Sequence, residues 1–165
     1  AAMRGLDSTR DVPVIVVTGQ NLTESDIVRL NQGVTTILNK GLFSQDETIA
    51  HISAALENKR RLSDEAQHLV RIAMAYVHEH YAGDLSREVI AQHVGVTEDH
   101  LTFCFRQELG TTPIQYIHRY RINWAKRLLK ESHATITEIA GCVGFSDSGY
   151  FSRETGTTPS AFRRS

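Results

Sequence analysis

Five side chains along residues 98–106 have the types and the spacing to contact DNA bases. If this stretch is helical, Leu101, Cys104 and Phe105 take its inner face and the positions between them face outwards. Carboxylates there can accept a hydrogen bond from cytosine, an arginine can donate to guanine, and a phenyl ring can contact the thymine methyl group. The side chains that could meet a groove in this way are those of Glu98, Asp99, Thr102, Phe103 and Arg106.

Nothing in the chain has the spacing of a catalytic or metal site. His78 and His80 fall on different faces of one predicted helix, and no Ser/His/Asp or Cys/His set accompanies the eight histidines. Cys104 and Cys142 lie in separate helical patterns, each without a second ligand at metal spacing, so we expect both to be buried free thiols. The sequence therefore predicts a protein that is not an enzyme and needs no cofactor.

An internal repeat places residues 98–106 in a larger unit. The segment Ile90-Ala91-Gln92-His93-Val94-Gly95-Val96 is matched 49 residues later by Ile139-Ala140-Gly141-Cys142-Val143-Gly144-Phe145. A small alanine suits a close helix crossing, and the glycine four residues later permits a left-handed turn. Thr97 and Ser146 then stand where they can cap a second helix. One copy is equally compatible with a plain helical hairpin, but two copies favour a double helix-turn-helix, whose second helices enter the major groove.

A long amphipathic helix is predicted to join the two copies. Thr112 is expected as its N-cap and Pro113 as its first helical residue. Apolar residues at helical spacing predict a core face of Ile114, Ile117, Tyr120, Trp124 and Leu128. We expect the basic residues to lie elsewhere around the helix and mostly in solvent: Arg119, Arg121, Lys126, Arg127 and Lys130.

Residues 12–56 have an alternation of strand and helix that is typical of a parallel sheet. Residues 12–17 and 34–38 predict strands, residues 23–30 predict a helix, and a capping box at residues 44–47 begins another. Two strands do not make a stable open sheet. We therefore expect the sheet to be completed by residues outside this chain or by another chain. The apolar face of the last helix is predicted to consist of Ile49, Ile52 and Leu56.

Residues 66–165 resemble the DNA-binding domain of the AraC/XylS family of bacterial transcription activators. The resemblance implies seven helices and two recognition helices that reach successive major grooves on one DNA face, roughly 34 Å apart. The residues that carry it extend over the whole domain: Tyr81, Ile90-Ala91, Leu101-x-x-x-Phe105, Gly110-Thr111-Thr112-Pro113, Tyr116-x-x-x-Tyr120-Arg121, Ala125-x-x-Leu128-Leu129, Ile136-x-x-Ile139-Ala140, Gly144-Phe145-Ser146-Asp147, Tyr150-Phe151-Ser152-Arg153 and Gly156-Thr157-Thr158-Pro159-Ser160-x-Phe162-Arg163.

The same resemblance implies which residues read bases. In the first recognition helix they are Asp99 and Phe103, where Phe103 replaces an arginine that is common in the family. Arg153 is the strongest expected base contact, since arginine is the usual reader of guanine. The second recognition helix is implied to read bases through Ser148, Gly149, Ser152 and Arg153.

Two further expectations follow from the resemblance. The amino ends of the helices that begin near Ser86 and Thr135 are expected to meet phosphates through free backbone N–H groups. Gly144 and Gly156 are 12 residues apart, against 15 for Gly95 and Gly110. The second recognition helix is therefore expected to be short, to lack a core aromatic residue of the family, and to pack poorly.

Residues 6–57 resemble the second half of a response-regulator receiver domain. Thr18 and Lys40 each end a predicted strand, where that family has a hydroxyl and a lysine that bind a phosphoryl group. Gly41 stands where the family usually has proline. The acidic pair and the phosphoacceptor aspartate belong to the first half of a receiver, so these residues are not expected to accept phosphate. An ordinary surface lysine is the alternative for Lys40.

The expected architecture is mostly α. A C-terminal all-α seven-helix domain with two helix-turn-helix units occupies residues 66–165, a linker occupies 58–65, and a partial flavodoxin-like α/β receiver segment occupies 1–57. The expected function is sequence-specific binding of double-stranded promoter DNA in the cytoplasm, as the output part of a two-component response regulator. Homodimers, a sensor kinase and RNA polymerase are the implied partners, and no membrane is involved.

One alternative function stays open. A net charge of −1 and an atypical first recognition helix also suit an interaction module that pairs through the receiver segment and recognises DNA weakly. Binding to promoter DNA that weakens steeply with salt would distinguish the regulator from this module.

Overall fold

The computed structural model describes residues 12–20, 22–30, 34–57, 63–146 and 149–164. In these ranges the chain is mostly helical, with strands only in its amino-terminal part. That part contains β1 (Ile15–Thr18), α1 (Glu24–Leu30), β2 (Thr36–Asn39) and α2 (Gln45–Leu56). The helices that follow are α3 (Asp64–His80), α4 (Arg87–Val94), α5 (Glu98–Leu109), α6 (Pro113–Glu131), α7 (Ile136–Cys142), α8 (Gly149–Thr155) and α9 (Pro159–Arg164). None of these helices is both long and apolar enough to cross a membrane.

The two strands pair in parallel, as the alternation predicts. Ile15 lies opposite Thr36, and Thr18 lies opposite Asn39. The strands begin three and two residues later than predicted, at Ile15 and Thr36. The capping box predicted before α2 is present, because the Ser44 hydroxyl accepts from the backbone N–H of Glu47 and the Glu47 carboxylate accepts from that of Ser44.

Helix α3 packs against both halves of the chain. On one side Val70 and Met74 enter the core of the helical part, and on another Ala75 packs with α1 and β2. Between them the Arg71 guanidinium donates to the carbonyl oxygens of Val34 and Thr35 at 2.7 and 3.2 Å. The helix begins at Asp64, so the last two residues of the predicted linker belong to it, while residues 58–62 lie outside the described ranges.

Helix α6 is shared between two cores. Its amino-terminal half packs against α3, α4 and α5, and its carboxyl-terminal half packs against α7, α8 and α9. The predicted core face is therefore too narrow, and Ile114, Trp124 and Leu128 lie at its half-buried edge. The buried residues of α6 surround more of the helix: Pro113, Tyr116, Ile117, Tyr120, Arg121, Ile122, Ala125 and Leu129.

A ring stack in the first core fixes α3 to α6. The His78 Nε2 atom lies 2.9 Å from the Tyr116 hydroxyl, and the His78 ring stacks on Tyr120 with 4.4 Å between centroids. The ring of Phe105 meets Tyr116 edge-on at 5.8 Å. Burial lowers the pKa of His78 to about 4, so its ring is neutral at pH 7.

The apolar face predicted for helix α2 is largely exposed, with only Ile52 half-buried. Ile49 and Leu56 are 60% and 63% exposed. The opposite side of the helix makes the contacts: Glu47 pairs with Arg119 of α6 at 2.9 Å, and His51 packs edge-on against Phe43. In the described part of the chain this sheet has two strands, β1 and β2.

Candidate nucleic-acid interface

Both corners of the sequence repeat have the same backbone geometry. Gly95 and Gly144 adopt the left-handed conformation, with φ angles of 74° and 83°. In each corner the residue after the glycine donates its N–H to the carbonyl of the repeated alanine, at 3.0 and 2.9 Å respectively: Val96 to Ala91 and Phe145 to Ala140. The glycines that open the second half of each repeat, Gly110 and Gly156, also have positive φ angles of 62° and 65°.

Helix α5 has the orientation that the sequence predicts. Thr97 caps it by accepting from the backbone N–H of His100, and the three inner residues Leu101, Cys104 and Phe105 are fully buried. The outward residues divide into exposed and half-buried ones. Asp99, Phe103 and Arg106 are exposed, whereas Glu98 and Thr102 are half-buried.

A salt bridge distinguishes the two acidic residues at the start of α5. Arg87 of α4 donates from Nε to a Glu98 carboxylate oxygen at 2.5 Å. The nearest approach of the same guanidinium to the Asp99 carboxylate is 4.0 Å, and the Asp99 side chain is 98% exposed. Sequence reasoning missed Arg87, since its partner lies eleven residues away on another helix.

In the second unit, helix α8 takes the place that α5 has in the first. Gly149 and Arg153 are exposed and Ser152 is half-buried. Ser146 is exposed, but Ser148 lies outside the described residues, so its role and the N-cap role of Ser146 stay predictions.

Helix α8 is short, with 7 residues against 12 in α5. It is nevertheless anchored, which differs from the poor packing expected. Phe151 is 4% exposed and meets Phe162 of α9 edge-on, with 5.8 Å between ring centroids. One buried aromatic residue thus holds this helix against α9 and the carboxyl-terminal half of α6.

The two helix starts predicted to meet phosphates differ in their capping. The Ser86 hydroxyl caps α4 by accepting from the backbone N–H of Val89 at 3.2 Å. At α7 the Glu138 carboxylate accepts from both the backbone N–H and the hydroxyl of Thr135, each at 2.7 Å. Hydrogen bonds from Thr135 lower the pKa of Glu138, so this helix start already carries a negative charge. The first turn of α4 also contains an acidic residue, Glu88, so a carboxylate lies at both helix starts.

Among the basic residues of α6, Arg127 and Lys130 are exposed as expected, whereas Arg121 is buried. Arg121 is 9% exposed and donates from Nε and Nη2 to the carbonyl oxygens of Tyr81 and Gly83, at 2.7 and 2.8 Å. Its role is structural, because it joins the end of α3 to α6. Arg119 pairs with Glu47, and the other three lie against aromatic rings: Arg127 on Trp124, and Lys126 and Lys130 on Phe162.

Thr18 and Lys40 lie at the same edge of the two-stranded sheet. The Lys40 N–H donates to the Thr18 carbonyl oxygen at 2.7 Å, and the Lys40 side chain is exposed. The loop after Lys40 contacts α6, since Asn123 donates to the Lys40 carbonyl oxygen at 3.4 Å. Gly41 has a φ of 85°, and a Cβ atom there would lie 2.7 Å from the Asn123 side-chain oxygen. The positive φ angle favours glycine here, and the close Asn123 side chain adds to that preference.

The cysteines differ from their prediction in one respect. Cys104 is buried, which raises the pKa of its thiol, whereas Cys142 on α7 is exposed. No group of three or more His, Cys, Asp and Glu side chains within the described ranges is placed to hold a metal ion.

Comparison with known proteins agrees with this geometry. A family model described as a helix-turn-helix domain matches residues 90–165. The HTH-type transcriptional activator RhaS of Escherichia fergusonii is 31% identical over 150 residues, which cover 88% of this chain and 52% of RhaS. The chain thus spans about half the length of this curated relative.

Two solved structures are similar to the helical part of the chain. The C-terminal domain of AraT, a response regulator from Geobacillus stearothermophilus, is 32% identical with a TM-score of 0.56, covering 58% of this chain and 84% of that one. A transcriptional regulator from Chromobacterium violaceum, described as an AraC-type DNA-binding domain-containing protein, is 30% identical with a TM-score of 0.56, covering 60% and 92% of the two chains.

Proposed function

Because this chain belongs to the AraC-type family of helix-turn-helix proteins, we propose that it binds double-stranded promoter DNA sequence-specifically and regulates transcription. The observation that carries the proposal is the duplicated corner. Each unit turns at a left-handed glycine and has the same backbone hydrogen bond across the turn. Helix α6 packs against both units, and in each of them a second helix follows the turn. Such paired second helices suit two successive major grooves.

The residues proposed to contact DNA fall into two groups. Bases are contacted from α5 by Asp99, Thr102, Phe103 and Arg106, and from the second unit by Ser148, Gly149, Ser152 and Arg153. Phosphates are contacted at the capped helix starts by Ser86, Thr97 and Thr135, and by Ser146, whose capping role is itself a prediction. Glu98 is held by Arg87 and contributes through that salt bridge.

Selection of binding sites tests the proposal. The full chain is incubated with a pool of random duplexes, and the bound fraction is sequenced after several rounds. We expect an enriched site with two short motifs about 10 base pairs apart, and an affinity that falls steeply with salt. A pool that stays random, with no binding even at low salt, would overturn the proposal.

Arg153→Ala supplies a sharper form of the same test. Loss of a bidentate arginine contact costs roughly 1–3 kcal/mol on the selected site and much less on random DNA. Fluorescence anisotropy with both duplexes measures the two affinities. Equal losses on both would show that Arg153 contacts only phosphate.

We extend the proposal to a two-component response regulator that acts in the cytoplasm and receives phosphoryl groups from a sensor kinase. Two observations support it: Thr18 and Lys40 lie at one edge of a parallel sheet, and AraT is a response regulator. In an intact protein that contains this chain, a phosphoryl donor such as acetyl phosphate should change the affinity for the selected site. Lys40→Ala should abolish that change, and an affinity that never responds to the donor would reject this extension.

An interaction module is the second candidate function. The exposed apolar side chains of Ile49 and Leu56 on α2 favour pairing through this segment, with a second copy of the chain as the partner. Sedimentation of the full chain and of Ile49→Lys measures such pairing. A dimer that the substitution dissociates, in a chain without DNA binding at low salt, would support this function over the first. RNA polymerase is a proposed partner only if the chain acts as a transcription regulator.

A further inference from the structure

The two neighbouring carboxylates of α5 differ in what they can offer to DNA. Glu98 is neutralised by Arg87 at 2.5 Å, and both side chains are about 40% exposed. Asp99 is 98% exposed, and the same guanidinium comes no closer than 4.0 Å. A negative charge of this kind lowers affinity for DNA unless it accepts a hydrogen bond from a base.

The chemistry of the major groove limits which base can satisfy Asp99. A carboxylate only accepts hydrogen bonds. Guanine presents two acceptors and thymine presents an acceptor and a methyl group, so both repel it. Adenine places its N6 donor beside the N7 acceptor, whereas cytosine presents its N4 donor alone. Asp99 therefore selects cytosine, because guanine and thymine offer it no donor and adenine places an acceptor beside its donor.

Phe103 is placed to contact the base next to the one that Asp99 contacts. It lies one helical turn after Asp99, and its side chain is 54% exposed although it is a large apolar group. Side chains four residues apart on a helix are about 5–6 Å apart, which allows them to contact adjacent bases. A phenyl ring has no hydrogen bond to offer there, and the thymine methyl group is the apolar feature of the groove.

We propose that the first unit reads a cytosine through Asp99 beside a thymine through Phe103, and that Arg87 withdraws Glu98 from base reading. This inference rests on the proposed DNA binding. It assigns to the first unit a preference that excludes guanine, which an arginine at position 103 would have favoured.

The test uses the full chain and the selected duplex, with each of the four bases in turn at every position of the motif assigned to the first unit. For the unmodified chain we expect one position where cytosine binds roughly 5- to 150-fold more tightly than the other bases. Asp99→Asn should move that preference to adenine, which asparagine reads through N6 and N7. Phe103→Ala should remove the thymine preference at the adjacent position and leave the cytosine preference in place.

Two further variants control for charge. Glu98→Gln should leave the base preference at cytosine, even where overall affinity changes, because Glu98 does not read a base. Glu131→Gln removes another exposed carboxylate, at the end of α6, and should alter neither preference. Thermal unfolding followed by circular dichroism verifies that each variant is folded.

The outcomes separate this inference from the proposed function. If selection yields a site but Asp99→Asn has the same base preference as the unmodified chain, the inference fails and DNA binding stands. A preference for guanine at that position, or a shift caused by Glu98→Gln, would also overturn it. Absence of any DNA binding would overturn both.

Discussion

Arginine residues that look alike in the sequence have different roles in this chain. Arg71, Arg87 and Arg121 each hold a fixed partner and join one helix to another element. Arg153, on the outer side of α8, is exposed. A guanidinium is well suited to both uses, since its planar set of donors can bind carbonyl groups, carboxylates and guanine. Position on the fold therefore determines which arginines lie at the surface and which join elements in the interior.

Arg121→Ala should destabilise the fold strongly. The substitution leaves the carbonyl groups of Tyr81 and Gly83 without their charged donor, and hydrogen bonds of this kind contribute about 1.5–3 kcal/mol each. We expect a loss of about 3 kcal/mol in the free energy of unfolding, measured by urea denaturation. Arg127→Ala is the matched control on the same helix, and its loss should be about 1 kcal/mol or less. Equal losses would contradict the role given to Arg121.

His78 predicts how stability depends on pH. Burial lowers its folded-state pKa to about 4 from an ordinary value of 6.5, so the unfolded chain binds the proton more tightly. Stability from this group is complete above pH 6.5 and is lost as the pH falls towards 4, by up to about 3 kcal/mol. Urea midpoints between pH 7.5 and about 4 measure this loss.

His78→Gln isolates that contribution, because glutamine can still bond to the Tyr116 hydroxyl but does not titrate. The variant should lose part of the dependence on pH, and the remainder includes His51, whose pKa burial also lowers. His133→Gln, at an exposed position, is the control. A pH dependence that survives in full in His78→Gln would contradict the assignment.

At the scale of elements, local signals were predictable and tertiary ones were not. The caps at Ser44, Thr97 and Thr112 and the glycine turns depend on residues a few positions apart, and the structure has them as predicted. The burial of α3 on two sides could not be read from one helix, because it depends on a segment some forty residues earlier in the chain. For the same reason the burial of Arg121 could not be predicted from the spacing of residues along α6.

The candidate site was predictable to a similar extent. Inner and outer faces of α5 follow from helical spacing, so the exposed positions of Asp99 and Phe103 were predicted correctly, while their contacts with bases stay predictions. The Arg87–Glu98 salt bridge depends on how α4 crosses α5, and no spacing in the sequence indicates it. The exposed Cys142 shows the same limit, since its position in a helical pattern did not reveal which side α7 buries.

The two turn glycines give a matched pair of substitutions. Gly95→Ala and Gly144→Ala both force a side chain into the left-handed region, which costs about 1 kcal/mol. A Cβ atom at Gly95 meets nothing within 4 Å, whereas one at Gly144 would lie 2.9 Å from the Tyr81 carbonyl oxygen. Gly144→Ala should therefore lower the free energy of unfolding by about 1–3 kcal/mol more than Gly95→Ala. Chemical denaturation of both variants measures the difference, and equal losses would show that the close approach is relieved without cost.

At the scale of the whole molecule, the amino-terminal segment is part of the same packed structure as the helical domain. Leu42 is 4% exposed within the first core, and Arg71 and Glu47 bind across the two parts. Residues 58–65 therefore separate the two parts along the sequence, but the two parts share packing contacts in the folded chain.

Removal of residues 1–57 should accordingly destabilise the remainder. Loss of Leu42 alone removes about 1.5–3 kcal/mol of apolar burial, and Ala75 on α3 loses its cover. We expect a lower melting temperature for residues 58–165 than for the full chain, together with binding of a hydrophobic dye. Leu42→Ala in the full chain should reproduce part of the effect. An unchanged melting temperature would show that the two parts are independent.

Helix α6 also limits how such proteins can be recombined. The side chains that receive the second unit, from Ile122 to Leu129, belong to the same rigid helix that completes the first. A chimera that exchanges only α7 and α8 for those of a relative would pack the relative's side chains against the unchanged residues of α6. A graft that is meant to change the DNA target must therefore also carry the donor's residues from Ile122 to Leu129. The natural junction between the two sequences lies just before Ile122.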